Sequence, residues 1–215
     1  MDGERSIRIG ELVVGPLATN CYLLSCSKTM KTVIIDPGGD AGKIIDHISA
    51  EKIIPDKIVL THGHSDHMAA AAELSRLYKI DVYINEKDVE TMRKSIEDAP
   101  LWGLGNIETP DSVKILSSDG TIEFGNLEGK VIETPGHTLG GISIYIDGMV
   151  FIGDTLFARS IGRTDFFGGD MDTLLESIRT NLFSLPDKTI VFCGHGPSTS
   201  IGVEKIQNPF LNGLI

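Results

Sequence analysis

Three of the six histidines in this 215-residue chain fall within one short segment, His62-Gly63-His64-Ser65-Asp66-His67. The segment follows an apolar run at 57–61 and precedes a helical pattern. It is therefore a loop at the end of a strand, a common position for functional sites in α/β proteins. Imidazole and carboxylate groups are the usual ligands of zinc, iron and manganese. We predict that His62, His64, Asp66 and His67 bind metal.

Three further turns carry side chains of the same types. His137 and His195 each lie beside glycine after an apolar strand, and Asp154 follows Gly153 in the same way. Glycine permits close backbone approach and positive φ, both of which a crowded ligand shell needs. Four loops thus offer seven ligands, five histidines and two aspartates. Three ligands per metal and a shared carboxylate predict two divalent ions, with zinc as first choice and iron or manganese as alternatives.

The overall composition narrows the function further. The 19 Lys+Arg and 30 Asp+Glu residues give a net charge of -11, which disfavours binding to nucleic acid or anionic lipid. No apolar run is long enough to span a bilayer, and the start Met1-Asp2-Gly3-Glu4 lacks the features of a leader peptide. We expect a cytoplasmic protein. The three cysteines include no C-x-x-C pair, and Cys193 is interpreted as a buried apolar residue.

The remaining patterns define the elements that must position these loops. Strand patterns cover 7–14, 21–24, 32–36, 57–61, 82–84, 113–116, 121–124, 130–133, 142–146, 149–152 and 189–192. Helical patterns cover a segment capped by Asp40, then 66–77, 86–97, 171–182 and a short helix after Ile201, while 98–111 is predicted as a long loop. Strands followed by helices, twice over, predict one α/β (α+β) domain over 1–215, an αββα four-layer sandwich.

The ligand pattern resembles the signature of the metallo-β-lactamase superfamily. The resemblance extends over nearly the whole chain, and it implies that His62, His64 and His137 bind one metal while Asp66, His67 and His195 bind the other. Asp154 would bridge the two. The sequence departs from the family pattern at Met68-Ala69-Ala70, where the family usually has a glycine-rich step.

Further segments resemble the glyoxalase II-like (hydroxyacylglutathione hydrolase-like) branch, namely 153–157, 160–165, 168–170, 194–197 and 208–210. This resemblance implies a metal-dependent thioesterase. Full-length members carry an additional C-terminal helical domain that contacts glutathione. Because the chain stops soon after Asn208, we expect that domain to be absent, leaving recognition of glutathione open. The pocket would then be completed by the loop at 98–111, by Phe166 and Phe167, or by a second subunit of a homo-oligomer.

The chemistry of the leaving group also favours a small-molecule thioester or activated ester. A metal-bridged hydroxide attacks the carbonyl without a separate protein base, and Asp66 would orient it as the catalytic residue. An amine must be protonated as it leaves, whereas a thiolate with a pKa near ~8.5 need not be. Arg163 and Asp165 would contact substrate or fix their loop, and Asp36 would support a ligand or cap a turn. Trp102 is interpreted as a packing residue.

Three other interpretations share the same ligand loops. A persulfide (sulfur) dioxygenase, whose family also resembles Gly162-Arg163-Thr164-Asp165, would use one iron bound by two histidines and an aspartate. A lactonase or β-lactamase would differ only in pocket shape. A metal-binding module without catalysis would retain the ligands but show no turnover.

Overall fold

The computed structural model describes residues 7–116 and 120–211, so Met1 to Glu4 lie outside the described residues. In the first half the elements are β1 Ile7–Val14, β2 Thr19–Cys26, β3 Lys31–Ile35, α1 Ala41–Glu51, β4 Ile54–Val59, α2 Ala71–Tyr78, β5 Val82–Ile84, α3 Val89–Asp98 and β6 Val113–Ile115. In the second half they are β7 Thr121–Phe124, β8 Leu127–Glu133, β9 Ile142–Ile146, β10 Met149–Phe151, β11 Leu156–Phe157, β12 Ser160–Ile161, α4 Met171–Ser177, β13 Ile190–Phe192, β14 Thr199–Ser200 and α5 Ile201–Gln207.

Two six-stranded sheets form the centre of the fold. The first has the order β1-β2-β3-β4-β5-β6 and the second the order β14-β13-β10-β9-β8-β7, while β11 and β12 form a small separate hairpin. β1, β2 and β3 are antiparallel, and β3 to β6 are parallel. The α/β class and the αββα layering predicted from the sequence are confirmed.

Strand β2 shows why four layers form, because every one of its residues is buried. Tyr22 and Leu24 point into the core between the sheets, whereas Leu23 points to the opposite face, into the cluster shared with α1, α2 and α3. A third cluster joins the second sheet to α4 and α5. Burying one leucine side chain stabilises the fold by about 1.5–3 kcal/mol. Packing helices or the other sheet against both faces of each sheet is therefore favourable.

The N-termini of two predicted helices differ in detail from the sequence pattern. The run 66–77 is broken into a 3-10 turn at Ser65–His67 and α2, which begins only at Ala71. The backbone N–H of Ala70 donates instead to the carbonyl of Pro37 at 2.9 Å. Asp40 occupies the N-cap position of α1 as predicted, but its side chain makes no capping hydrogen bond and accepts instead from Gly15 N–H at 2.9 Å.

Other boundaries differ by about a turn. The run 86–97 consists of a 3-10 turn at Glu86–Asp88 and α3, and 171–182 changes from α-helix to π-helix at Ile178. The predicted loop 98–111 contains a 3-10 turn at Ala99–Trp102. Within 7–116 and 120–211, the helices are too short and too polar to cross a bilayer.

Candidate metal centre

The strand directions bring the predicted ligand loops to one edge of the sandwich. β3 and β4 are parallel, so the turn at Asp36 and the loop at 62–67 leave the first sheet side by side. β10 and β13 are also parallel, which places the turns of Asp154 and His195 together at the end of the second sheet. Residues from both halves of the chain therefore converge on one site.

Six of the seven predicted ligands form two groups. The ligand atoms within each group lie within 4.8 Å of one another. The first group is His62, His64 and His137, and the second is Asp66, His67 and His195. Asp66 and His67 are adjacent in sequence, yet the 3-10 turn that contains them directs both side chains to the same group.

The seventh, Asp154, lies between the two groups. Its Oδ1 is 3.3 Å from Nε2 of His67, and its Oδ2 is 3.6 Å from Nε2 of His195 and 3.7 Å from Nε2 of His137. The carboxylate thus reaches both groups at once.

Unpaired buried atoms provide a test of whether metal ions fit this arrangement. Among the described residues, Nε2 of His62, Nε2 of His67 and Oδ1 of Asp154 are buried without a hydrogen-bond partner. An unsatisfied buried polar atom costs about 1–3 kcal/mol. A divalent cation would satisfy all three, so the donor set fits a pair of metal ions.

Hydrogen bonds on the far sides of the rings fix their orientation. Nδ1 of His67 donates to Oδ2 of Asp36 at 2.9 Å, and Nδ1 of His62 lies 3.0 Å from the Thr61 hydroxyl, which itself donates to the same carboxylate at 2.6 Å. Nδ1 of His137 donates to the backbone carbonyl of Arg163 at 2.6 Å. When each ring is neutral, its Nε2 lone pair is left facing the centre.

Asp36 thus contacts His67 directly and His62 through the Thr61 hydroxyl, as expected of a residue that supports predicted ligands. It also accepts from Thr61 N–H at 2.7 Å, and its backbone adopts the left-handed conformation with φ 49°. Asp36, His62 and His67 also lie within 4.8 Å of one another. Both oxygens of this carboxylate accept hydrogen bonds from Thr61 or His67, which fits a supporting role for Asp36.

Burial and neighbouring charge set the protonation of the cluster. Burial lowers the pKa of His62 well below its usual value and that of His64 to about 3, and the neighbouring histidines add to both effects. Burial also acts to lower the pKa of His67, but the carboxylates of Asp154, Asp66 and Asp36 outweigh it and hold that pKa well above the usual value. For Asp154 the opposing effect of burial is outweighed by His67, and its pKa is lowered.

The raised pKa of His67 predicts that metal uptake releases protons. At pH ~7 the ring is protonated in the metal-free protein and must become neutral to bind, so metal affinity should rise with pH. The pKa of His195 is also raised, because its hydrogen bond with Asp66 outweighs burial. Calorimetric titration with zinc in two buffers of different ionisation enthalpy measures the protons released.

We expect His195→Gln to release fewer protons than the unmodified protein, because it lacks one ring of raised pKa and binds metal less tightly in the group of Asp66, His67 and His195. Equal release by the two proteins would contradict this assignment. The stability of the metal-free fold depends on pH in the opposite direction from metal affinity. Protonated His67 stabilises the metal-free fold fully below its unfolded pKa of ~6.5, and this contribution is lost as pH rises through the raised folded value.

A cavity of about 280 Å³ opens over the two groups. Its walls include Trp102, Phe166 and Phe167, so the predicted contributions from the 98–111 loop and the two phenylalanines are found in place. Trp102 packs edge-to-face on Phe166, and it also forms part of the cavity wall, where the residue is 44% exposed. The volume is at the low end for small-molecule sites.

Arg163 and Asp165 form a pair beside this cavity. The guanidinium donates two hydrogen bonds of 2.7 Å to the carboxylate and lies 3.8 Å from the centre of the Phe166 ring. The hydrogen bonds from Arg163 hold the pKa of Asp165 at about 2. Arg163 also lines the cavity. The same side chain therefore fixes its loop through Asp165 and forms part of the cavity wall.

Residues 14–195 match the family model described as the metallo-beta-lactamase superfamily. The chain belongs to this superfamily. It is 39% identical over 197 residues to a protein of Haemophilus influenzae named hydroxyacylglutathione hydrolase GloC, covering 90% of this chain and 92% of the relative. It is 37% identical over 208 residues to the probable metallo-hydrolase YqgX of Bacillus subtilis, covering 94% and 96%.

A solved superfamily structure has the same architecture. It is that of TTHA1623 in a di-iron-bound form, with 36% identity and a TM-score of 0.86, covering 94% of this chain and all of that one. The superfamily assignment and the likeness to a glyoxalase II enzyme were both predicted from the residues. The His/Asp cluster of this chain suits divalent metals.

Asp88 is a site residue of this superfamily member that the sequence analysis did not identify. It is fully buried. Oδ2 accepts from Gly63 N–H at 2.8 Å and from the Thr138 hydroxyl at 2.7 Å, while Oδ1 accepts from Gly140 N–H at 2.7 Å and from Thr91 at 3.3 Å. Burial raises the pKa of Asp88, against the effect of these hydrogen bonds. One carboxylate thereby joins the loop of His62 and His64 to the loop of His137.

The loop of His195 is attached to the other half of the chain by β2. The side-chain amide of Asn20 donates to the carbonyls of Cys193 and Gly196 at 3.0 and 2.8 Å, and the Tyr22 hydroxyl donates to the Cys193 carbonyl at 2.6 Å. Burial raises the pKa of the Cys193 thiol to about 12, which agrees with its interpretation as a buried apolar residue.

Two glycines make the close approach of these loops feasible. A side chain at Gly194 would collide with Oδ1 of Asp154 and with the His67 ring, and one at Gly153 would collide with the Thr61 hydroxyl. Gly153 also has φ +52°, which disfavours any side chain there.

Proposed function

We propose that this superfamily member is a metal-dependent thioesterase, with two divalent ions, zinc first, and a small-molecule substrate. One observation carries the proposal. Two groups of three ligands lie side by side with the Asp154 carboxylate between them. We infer that His62, His64 and His137 hold one ion, that Asp66, His67 and His195 hold the other, and that Asp154 bridges them.

Two divalent ions held by these residues would lower the pKa of a bound water to near neutral and would polarise the substrate carbonyl. The side chains of the chain itself do the rest. Asp66 has a lowered pKa, because its ion pair with His67 outweighs burial, so it is ionised and can accept a hydrogen bond from the attacking water. Asp36, Thr61 and the Arg163 carbonyl keep the histidine rings in place during the reaction.

A thioester suits this site because its leaving group needs little help. A thiolate with a pKa of ~8.5 departs without protonation, whereas an amide nitrogen requires a general acid. The apolar wall of Trp102 and Phe166 offers a surface for the acyl or thiol chain. The name of the GloC relative supports the same class of substrate.

The mononuclear iron dioxygenase alternative accounts for less of the geometry. It needs only two histidines and Asp154. The group of Asp66, His67 and His195 would then have no role, although the orienting hydrogen bond from His67 to Asp36 has the form expected of a metal ligand. Lactonase activity and non-catalytic metal binding are separated from our proposal by the experiment below.

A substrate panel tests the proposal directly. Protein reconstituted with zinc, iron or manganese is assayed on S-lactoylglutathione, acetyl thioesters, a lactone, nitrocefin and a phosphodiester, with oxygen uptake on glutathione persulfide in parallel. We expect thioesters to give the highest kcat/KM, and a metal content near two per chain. Oxygen uptake with one iron would replace the thioesterase proposal by the dioxygenase. Silence on every substrate with both metals bound would establish the binding module.

A further inference from the structure

Lys94 lines the cavity above the candidate metal centre, and its positive charge has no role in the proposed reaction described above. It lies on α3, and its ammonium group sits 3.2 Å from the centre of the Phe167 ring, which also lines the cavity. A cation over an aromatic face is held without losing its N–H donors. The side chain is 45% exposed, so these donors can reach a ligand that enters from solvent.

Arg163, the arginine of the cavity wall, is already paired with the carboxylate of Asp165. Arg163 gives two hydrogen bonds to Asp165, whereas Lys94 has only a 3.9 Å ion pair with Glu90, which also lies 3.8 Å from Arg93. Asp98 is a carboxylate of the cavity wall, but among the described residues no ion pair joins it to Lys94. The ammonium group of Lys94 is therefore able to bind an anionic group of a ligand in the cavity.

We propose that Lys94 binds a carboxylate of the substrate, and that the enzyme prefers thioesters which carry such a group away from the scissile bond. The inference rests on the proposed thioesterase function and adds the substrate class to it. Phe167 pre-organises the ammonium, so little side-chain freedom is lost on binding. The aromatic wall of Trp102 and Phe166 would contact the uncharged part of the substrate.

Matched thioesters test the proposal. The acetyl thioesters of 3-mercaptopropionate and 6-mercaptohexanoate are each compared with the corresponding carboxamide, so that only the charge differs and two chain lengths are sampled. We expect the zinc-loaded protein to favour the acid about tenfold in kcat/KM for at least one length, mainly through KM. The preference should shrink at high salt, because the group is partly exposed.

The variants Lys94→Gln and Lys94→Arg test whether Lys94 causes the preference for acids over carboxamides. Lys94→Gln should remove it by lowering kcat/KM for the acids to that for the carboxamides, and Lys94→Arg should retain it. Arg93→Gln is the matched control, because it removes the same charge from the same helix at a side chain that does not line the cavity. This control should behave as the unmodified protein does.

The possible failures are distinguishable. Hydrolysis of acids and amides at equal rates would overturn the role of Lys94 and leave the thioesterase proposal intact. So would a preference that survives in Lys94→Gln but disappears in Arg163→Gln, because the anion contact would then belong to Arg163. If no thioester is hydrolysed at all by protein with two metals bound, the proposed function fails and this inference fails with it.

Discussion

Replacing Asp154 with alanine should lower thioesterase kcat/KM about a thousandfold or more. Changing a residue that only orients a ligand typically costs 10–100-fold. Asp154 instead lies within 3.7 Å of His67, His137 and His195, so its loss should loosen both metal ions together. The measurement is kcat/KM together with metal content after gel filtration, which we expect to fall from about two per chain to below one.

Two comparisons separate this effect from misfolding. Asp154→Asn keeps the shape of the side chain but removes its charge, and should also lose most of the activity. Asp172→Ala removes an exposed carboxylate from α4 and should retain the full rate and metal content. An Asp154→Ala protein that keeps two metals and the normal rate would contradict the bridging role.

Replacing Asp88 with asparagine should destabilise the fold by about 2–4 kcal/mol and weaken metal binding about 10–100-fold. Whichever way the new amide is oriented, its NH₂ group faces a backbone donor, either Gly63 N–H or Gly140 N–H. That buried donor then has no acceptor. Urea unfolding with chelator present gives the stability, and competition with a chromophoric chelator gives the zinc affinities.

The expected pattern is asymmetric, which distinguishes positioning from general damage. Asp88 touches the loops of His62, His64 and His137, so that group should lose more affinity than Asp66, His67 and His195. Asp81→Asn is the control, since it removes a partly buried carboxylate that bonds Ser112 and not a ligand loop. Equal weakening of both zinc ions in Asp88→Asn would argue against the specific link.

The candidate ligands could be predicted from sequence because their signal is local. Histidines and aspartates recur in glycine-flanked turns after apolar strands, and strand ends gather at sheet edges. The structure brings all seven together, and their binding of metal stays a prediction. The layering was likewise readable, since β2 and its neighbours carry apolar residues on both faces.

Asp88 could not be found in this way, because its role depends on contacts with Gly63 and Gly140, which are distant in sequence. In the sequence, Asp88 is one of several charged residues within the helical pattern 86–97. The break before α2 had the same origin. Apolar periodicity runs on through 66–77, but Pro37 captures the N–H of Ala70 and the ligands require a tighter turn.

Because the first sheet supplies the loop at 62–67 and the second supplies the turns of Asp154 and His195, bound ions would act as a cross-link between the two halves of the polypeptide. Metal supply would then set how long the chain survives as well as how fast it works. Each tenfold rise in free zinc above the dissociation constant would add about 1.4 kcal/mol per ion to the free energy of unfolding. The metal-free protein would unfold more often than the metal-bound protein, and would therefore be degraded faster.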